Sequence, residues 1–306
     1  MDYPLSKRFQ GALLGAILGG DLAERWLRPA SPVSSGAECS GVESRDRPQS
    51  EPRNWQASVI ALTESLIQNR RFDVARRRQI LPTETSNPAS APTPGEAAII
   101  ALPVILLFHE DAAELRRQLG RLAELWPDAE SGEREAAMLA MGAAIAEILR
   151  TPADTRHLLP SLLETLSPQT LLRRQLERVH LGLTQSATLA EMENRLPAPE
   201  DAALALGLYC FASTPLDPDL TLRRAARVRW QPGLTATLAA VLSGAHNGLS
   251  GIRAAGRLAR DGDTHIDEGT LLGLAKTLAD TWAGIEPSAG PSDFPNPVVT
   301  AVPQTF

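Results

Sequence analysis

The chain has 306 residues, of which 43% are apolar, 22% charged and only 4% aromatic, and its net charge is −6. This length and apolar content exclude a disordered chain and allow a sizeable core. The acidic balance excludes broad binding to a nucleic-acid backbone, which takes a basic footprint.

With so few aromatics, the core is expected to be Leu, Ala, Ile and Val, a composition that favours helix packed on helix. Of the 30 basic residues only Lys7 and Lys276 are lysines. Cys39 and Cys210 are too few for a disulfide framework or a Cys-type zinc site, and they fit a reducing compartment. Lys7 and Arg8 precede the apolar run 11–19, as in a signal peptide. The run holds glycines, leads into Asp21 and Glu24, and has no small-residue cleavage site, so it reads as a helix. The apolar run Ala97 to Phe108 is too short to span a bilayer and contains Pro103. A soluble, cytoplasmic protein without a membrane partner is expected.

Apolar residues recur at spacings of three and four almost throughout. Ser6 to Trp26 reads as a first helix, whose small residues Gly15 to Gly20 let another helix approach closely. The segment 27–53 reads as a mobile loop, and Trp55 to Gln68 as the second helix. A short helix is expected over Phe72 to Ile80 and a mobile Pro/Ser/Thr-rich loop over 81–94. Glu96 to Phe108 is almost wholly apolar and reads as a central helix. Further helices are expected over Asp111 to Leu125, Gly132 to Leu149, Ala153 to Leu166, Pro168 to His180, Ala187 to Asn194, Glu200 to Phe211 and Leu220 to Val228. Leu234 to His246 reads as a buried Ala-rich helix, Ile252 to Leu258 as a short one and Glu268 to Trp282 as an amphipathic one. No period-two alternation and no repeat is found. The expected fold is all-α, a compact orthogonal multi-helix bundle. A single domain over 1–284 would be followed by a Pro-rich, irregular tail at 285–306.

Several motifs have both a chemical and a plainer reading. The acidic run Asp261 to Glu268 suggests a metal loop, but Ile266 and Leu272 break the EF-hand template, and its carboxylates suit a helix cap. Gly248-Leu-Ser250-Gly251 approaches a nucleophile elbow, but Ile252 stands where a glycine belongs and no strand precedes it, so a turn is expected. Two arginine clusters occur, at 70–78 and at Arg223, Arg224, Arg227 and Arg229. They read as solvated helix faces, with docking of an acidic partner as the second reading. His109, His157, His180, His246 and His265 show no metal-ligand spacing.

Taken in order, four segments resemble the ADP-ribosylglycohydrolase family. These are Phe9-Gln-Gly-Ala-Leu-Leu-Gly-Ala-Ile-Leu-Gly19, Asn54-Trp-Gln-Ala-Ser-Val-Ile-Ala-Leu-Thr-Glu-Ser-Leu-Ile-Gln68, Gly95-Glu-Ala-Ala-Ile-Ile-Ala-Leu-Pro103, and Leu234 to Gly248, which ends Leu-Ser-Gly-Ala-His-Asn-Gly. The resemblance implies an all-α enzyme that removes ADP-ribose from protein side chains. It also implies two Mg²⁺ ions held by carboxylates at the starts of the second helix and of a late helix. Carboxylates suit Mg²⁺, a hard ion that takes oxygen ligands.

At those positions this chain departs from the family. Arg53-Asn54-Trp55-Gln56 stands for Thr-Asp-Asp-Thr, and Arg229-Trp230-Gln231-Pro232-Gly233-Leu234 for Gly-Gly-Asp-x-Asp-Thr. The Asp of the opening helix falls on Gly20, with Asp21 one place along. Ile99-Ile100 stands for a Met-Arg pair, and Trp126 for a His before Pro127-Asp128. Asn and Gln keep an oxygen but no charge, and arginines repel a cation. The expectation is therefore an inactive member without a cofactor, serving as a binding or scaffold module. Asp21, Asn54, Trp55, Gln56, Trp230 and Gln231 would line or plug its former cleft. Its partner would be an ADP-ribose-like ligand or a protein. The alternatives are a hydrolase with relocated ligands (Asp21, Glu24 or the run 261–268) and an unrelated helical interaction domain.

Overall fold

A computed structural model of the protein describes residues 3–27, 55–69, 91–128, 130–151, 155–256 and 268–285. Among these residues there are α-helices and one 3-10 turn, but no strand. The helices are α1 (Leu5–Leu27), α2 (Trp55–Asn69), α3 (Pro94–Ile100), α4 (Leu102–Phe108), α5 (Ala112–Ala123), α6 (Ser131–Arg150) and α7 (Leu158–Thr165). They continue with α8 (Leu171–Thr184), α9 (Leu189–Arg195), α10 (Ala203–Ser213), α11 (Pro218–Ala225), α12 (Pro232–Gly256) and α13 (Glu268–Trp282). No helix among the described residues is long and apolar enough to cross a membrane.

The central pair is α1 and α12, which run antiparallel. The expected close approach of α1 is found here. A Cβ on Gly15 would lie 2.5 Å from the Ala240 carbonyl oxygen, and one on Gly11 2.5 Å from that of Gly244. One on Gly19 would lie 2.7 Å from the Thr237 Cα. Only a missing side chain lets two helix backbones come this near. Gly248, at φ 65°, breaks α12 in the left-handed region, so the segment expected at 234–246 and the described part, 252–256, of that expected at 252–258 join across a kink.

Beside this pair, Arg8 is buried and donates to three carbonyls. Its Nε lies 2.6 Å from Ala245 O, Nη1 3.0 Å from Leu149 O and Nη2 2.5 Å from Ile148 O. Two of these carbonyls belong to the last turn of α6, where helical N–H donors run out. Next to Arg8, Phe9 meets His109 edge-on at 5.7 Å, and Trp282 of α13 closes the cluster 5.3 Å from His109.

Helix ends depart from expectation for local reasons. The single helix expected over Glu96 to Phe108 is two, α3 and α4, because Pro103 has no N–H to continue the ladder. The helix expected from Ala153 begins only at Leu158, and that expected from Pro168 begins at Leu171, where the Thr170 side chain accepts from Arg173 N. Thr188 and Glu191 form a capping box that starts α9. The stretch expected as a helix from Glu200 opens instead as a 3-10 turn, Pro199–Asp201. One continuous apolar cluster of Leu, Ala, Ile and Val joins the helices, as the composition requires. The helix expected at 72–80, the tail at 286–306, Cys39, the arginine cluster at 70–78, residues 28–53 and 81–90 of the expected loops, and Asp261 to Asp267 lie outside the described residues.

Candidate functional site

Three helices begin beside the C-terminal half of α1. At the start of α2, the Gln56 amide nitrogen donates to Ile17 O at 2.6 Å. This bond fixes α2 one turn before Asp21. The register of α1 against α12 puts Gly19 beside Thr237, which carries Asp21 to the level of the first turn of α12. The start of α3 closes the group. A Cβ on its Gly95 would lie 3.0 Å from Leu234 Cδ2.

The end residues of these helices have specific work. Trp55 opens α2 and is buried in the core. Gln231 precedes α12 at φ 46°, and its carbonyl accepts from Thr235 N at 2.9 Å. Trp230 is 45% exposed. The Arg229 N–H donates to Glu193 Oε1 at 2.5 Å, which ties the approach to α12 onto α9. In front of α3, Glu96 Oε2 accepts from Thr93 N at 2.8 Å in a capping box. The one carboxylate in that helix is therefore committed to its own cap.

Arg134 holds this corner from α6. It is buried, its Nε donates to Pro92 O at 2.6 Å, and its Nη2 lies 2.7 Å from Asp128 Oδ2. The Arg134 hydrogen bond holds the Asp128 carboxyl below its usual range. Asp128 thus serves the scaffold. Glu133, on the same helix, accepts from Leu171 N at 2.7 Å and so caps α8. Sequence reasoning missed Arg8, Glu133 and Arg134, since a charge in a helix ordinarily marks its solvent face.

Of the six candidate residues, Asp21, Gln56 and Gln231 are gathered at one end of the α1–α12 pair. The two tryptophans differ: Trp55 is a core side chain, while Trp230 is exposed. Asn54 lies outside the described residues. His109 and His246 stand in different parts of the core. His109 is buried with Nδ1 2.8 Å from Leu106 O, and His246 packs against Phe211. Burial pushes the Cys210 thiol up to about 12, leaving it unreactive at neutral pH.

The donors at this end do not fit two Mg²⁺ ions. The first turns of α2 and α12 hold no acidic residue. Gln56 offers a neutral amide whose nitrogen is already engaged. Helix N-termini carry partial positive charge, which disfavours a cation unless carboxylates offset it. Among the described residues no group of three or more His, Cys, Asp or Glu could hold a metal ion.

The sequence profile of the ADP-ribosylglycohydrolase family matches residues 20–286. A solved structure described as an ADP-ribosylglycohydrolase-related protein complex superposes with a TM-score of 0.57. It shares 22% identity, over 90% of this chain and 98% of that one, a likeness that speaks to the fold. No curated protein matches the sequence. The match across most of its length, on an all-α fold of the same kind, makes the chain a member of the ADP-ribosylglycohydrolase family.

Proposed function

We propose that this protein is a catalytically inactive member of its family and works as a binding or scaffold module. The observation that carries the reading is the start of α2. There no carboxylate stands in the first turn, and Gln56, whose nitrogen donates to Ile17 O at 2.6 Å, has only a neutral amide oxygen to offer a cation. A site meant for two divalent cations needs charge at that place. The proposed ligand is an ADP-ribose-like molecule, bound without metal. Trp230 supplies a face for the adenine ring, and Gln231, Asn54 and Asp21 supply hydrogen bonds to ribose or phosphate groups. The scaffold part of the reading is supported by the related solved structure, which is described as a protein complex. A cytoplasmic location is proposed with it, from the two well-separated cysteines.

Calorimetry of ADP-ribose with Mg²⁺, and again with EDTA, tests this. Binding that survives EDTA, together with no release of ADP-ribose from a modified protein, is the expected result. Mg²⁺-dependent binding with turnover would overturn it and place the ligands elsewhere, Asp261 to Glu268 included.

A further inference from the structure

The outer face of α11 and the turn after it combine exposed aliphatic groups with surplus positive charge. In the stretch 216–230, Leu216, just before α11, is 81% exposed and Leu220, within it, 43% exposed. Thr221, Leu222 and Ala225 point into the core, which leaves Leu220 and Arg223 on the outward side of the helix, with Arg227 exposed in the turn after it. The same stretch holds four arginines against two aspartates, in a chain whose net charge is −6. Both aspartates are occupied. Asp219 pairs with Arg223 at 2.8 Å, and Asp217 accepts from Leu220 N at 3.0 Å to cap the helix. Arg224 lies over the Tyr209 ring and donates to its hydroxyl at 3.0 Å. Arg227 and Arg229 form no ion pair among the described residues.

We propose that this face docks an acidic, leucine-bearing segment of a partner protein. The exposed leucines ask for aliphatic side chains, and Arg227 and Arg229 ask for carboxylates, so both demands must be met by one ligand. A nucleic acid would satisfy the arginines but leave Leu216 and Leu220 in water. A membrane surface would accept the leucines, but two leucines bury little apolar area there, and a chain of net charge −6 is repelled by anionic lipid. The leucines and arginines it uses are none of the residues proposed for the cleft, Asp21, Asn54, Trp230 and Gln231, so the proposal does not depend on what the cleft holds.

The test is fluorescence anisotropy with the full chain and a fluorescein-labelled helical peptide, glutamate-rich with leucines four residues apart. At low salt we expect saturable binding in the range of about 10–100 μM, weakened severalfold by added salt. Leu216→Ser with Leu220→Ser, and separately Arg227→Glu with Arg229→Glu, are each expected to weaken it about tenfold. Circular dichroism and the unfolding midpoint of both variants should match the parent, since all four side chains are on the surface. A matched peptide with glutamine for glutamate should bind about tenfold more weakly. The proposal is overturned if no binding is detected up to about 1 mM, or if neither double variant changes it. It is also overturned if oligothymidine or phosphatidylserine vesicles bind more tightly with the same arginine dependence.

Discussion

Arg8 is a cation placed where water does not reach, and it acts through carbonyl oxygens in two helices. Replacing it with Met keeps the bulk but strands the acceptors of Ala245, Ile148 and Leu149. Each stranded buried carbonyl costs about 1–3 kcal/mol. Arg8→Met should therefore cost several kcal/mol of stability in urea unfolding, and Arg8→Lys should recover only part, having no planar fork. Close by, burial lowers the His109 pKa from 6.5, with Arg150 and Arg8 acting in the same direction and the Leu106 carbonyl and Glu110 against it. The unfolded chain thus takes up this proton at higher pH than the folded one. Stability from this residue is full above the unfolded value, near 6.5, and falls as the pH drops below it. Hydrogen exchange should show α13, whose Trp282 rests on His109, opening more readily at pH 5 than at pH 7.5, and His109→Gln should flatten that difference. Asp128 works in the same sense at lower pH. Its depressed carboxyl stabilises the Arg134 corner above the usual carboxylate range and loses hold as the pH falls through its folded value.

Helix identity in this molecule follows from period, and helix ends follow from chemistry at single positions. The glycines at 11, 15 and 19 recur every four residues on one face, so a seam on α1 is readable from spacing alone. Its partner, the Gly244 and Ala240 face of α12, is readable only as a second small-residue face, and nothing in the sequence pairs the two. Gly15→Ala should destabilise the protein by about 1–3 kcal/mol, and Gly15→Val by more, since the Ala240 backbone must retreat in each case. Denaturant unfolding measures this, and Gly132→Ala, which meets nothing within 4 Å, is the control. The division of the apolar stretch 94–108 was within reach of the sequence, because Pro103 forbids an unbroken ladder. The 3-10 opening at Pro199 was not, since Glu200 reads equally well as a first-turn helical residue.

For the whole molecule, family and fold were legible from the order of four helical segments, while the proposed site rests on contrast with the family's pattern. The absence of carboxylates at 53–56 and 229–234 is a statement about charge, which sequence carries directly. Whether a side chain fills or lines a cleft depends on packing, so Trp55 and Trp230 look alike in sequence and differ in the fold. Binding should follow that division. Trp230→Ala is expected to weaken ADP-ribose by about tenfold in calorimetry with little change in stability, as loss of one stacking face would. Trp55→Ala should instead cost about 3–5 kcal/mol of stability. The pairing of α1 with α12 also has a bearing on how the chain is made. Arg8 reaches the Ala245 carbonyl across 237 positions of sequence, so α1 leaves the ribosome long before the helix it packs on. Until α12 is made, the glycine face of α1 lacks its native partner and is open to wrong neighbours, as contacts of long sequence separation require.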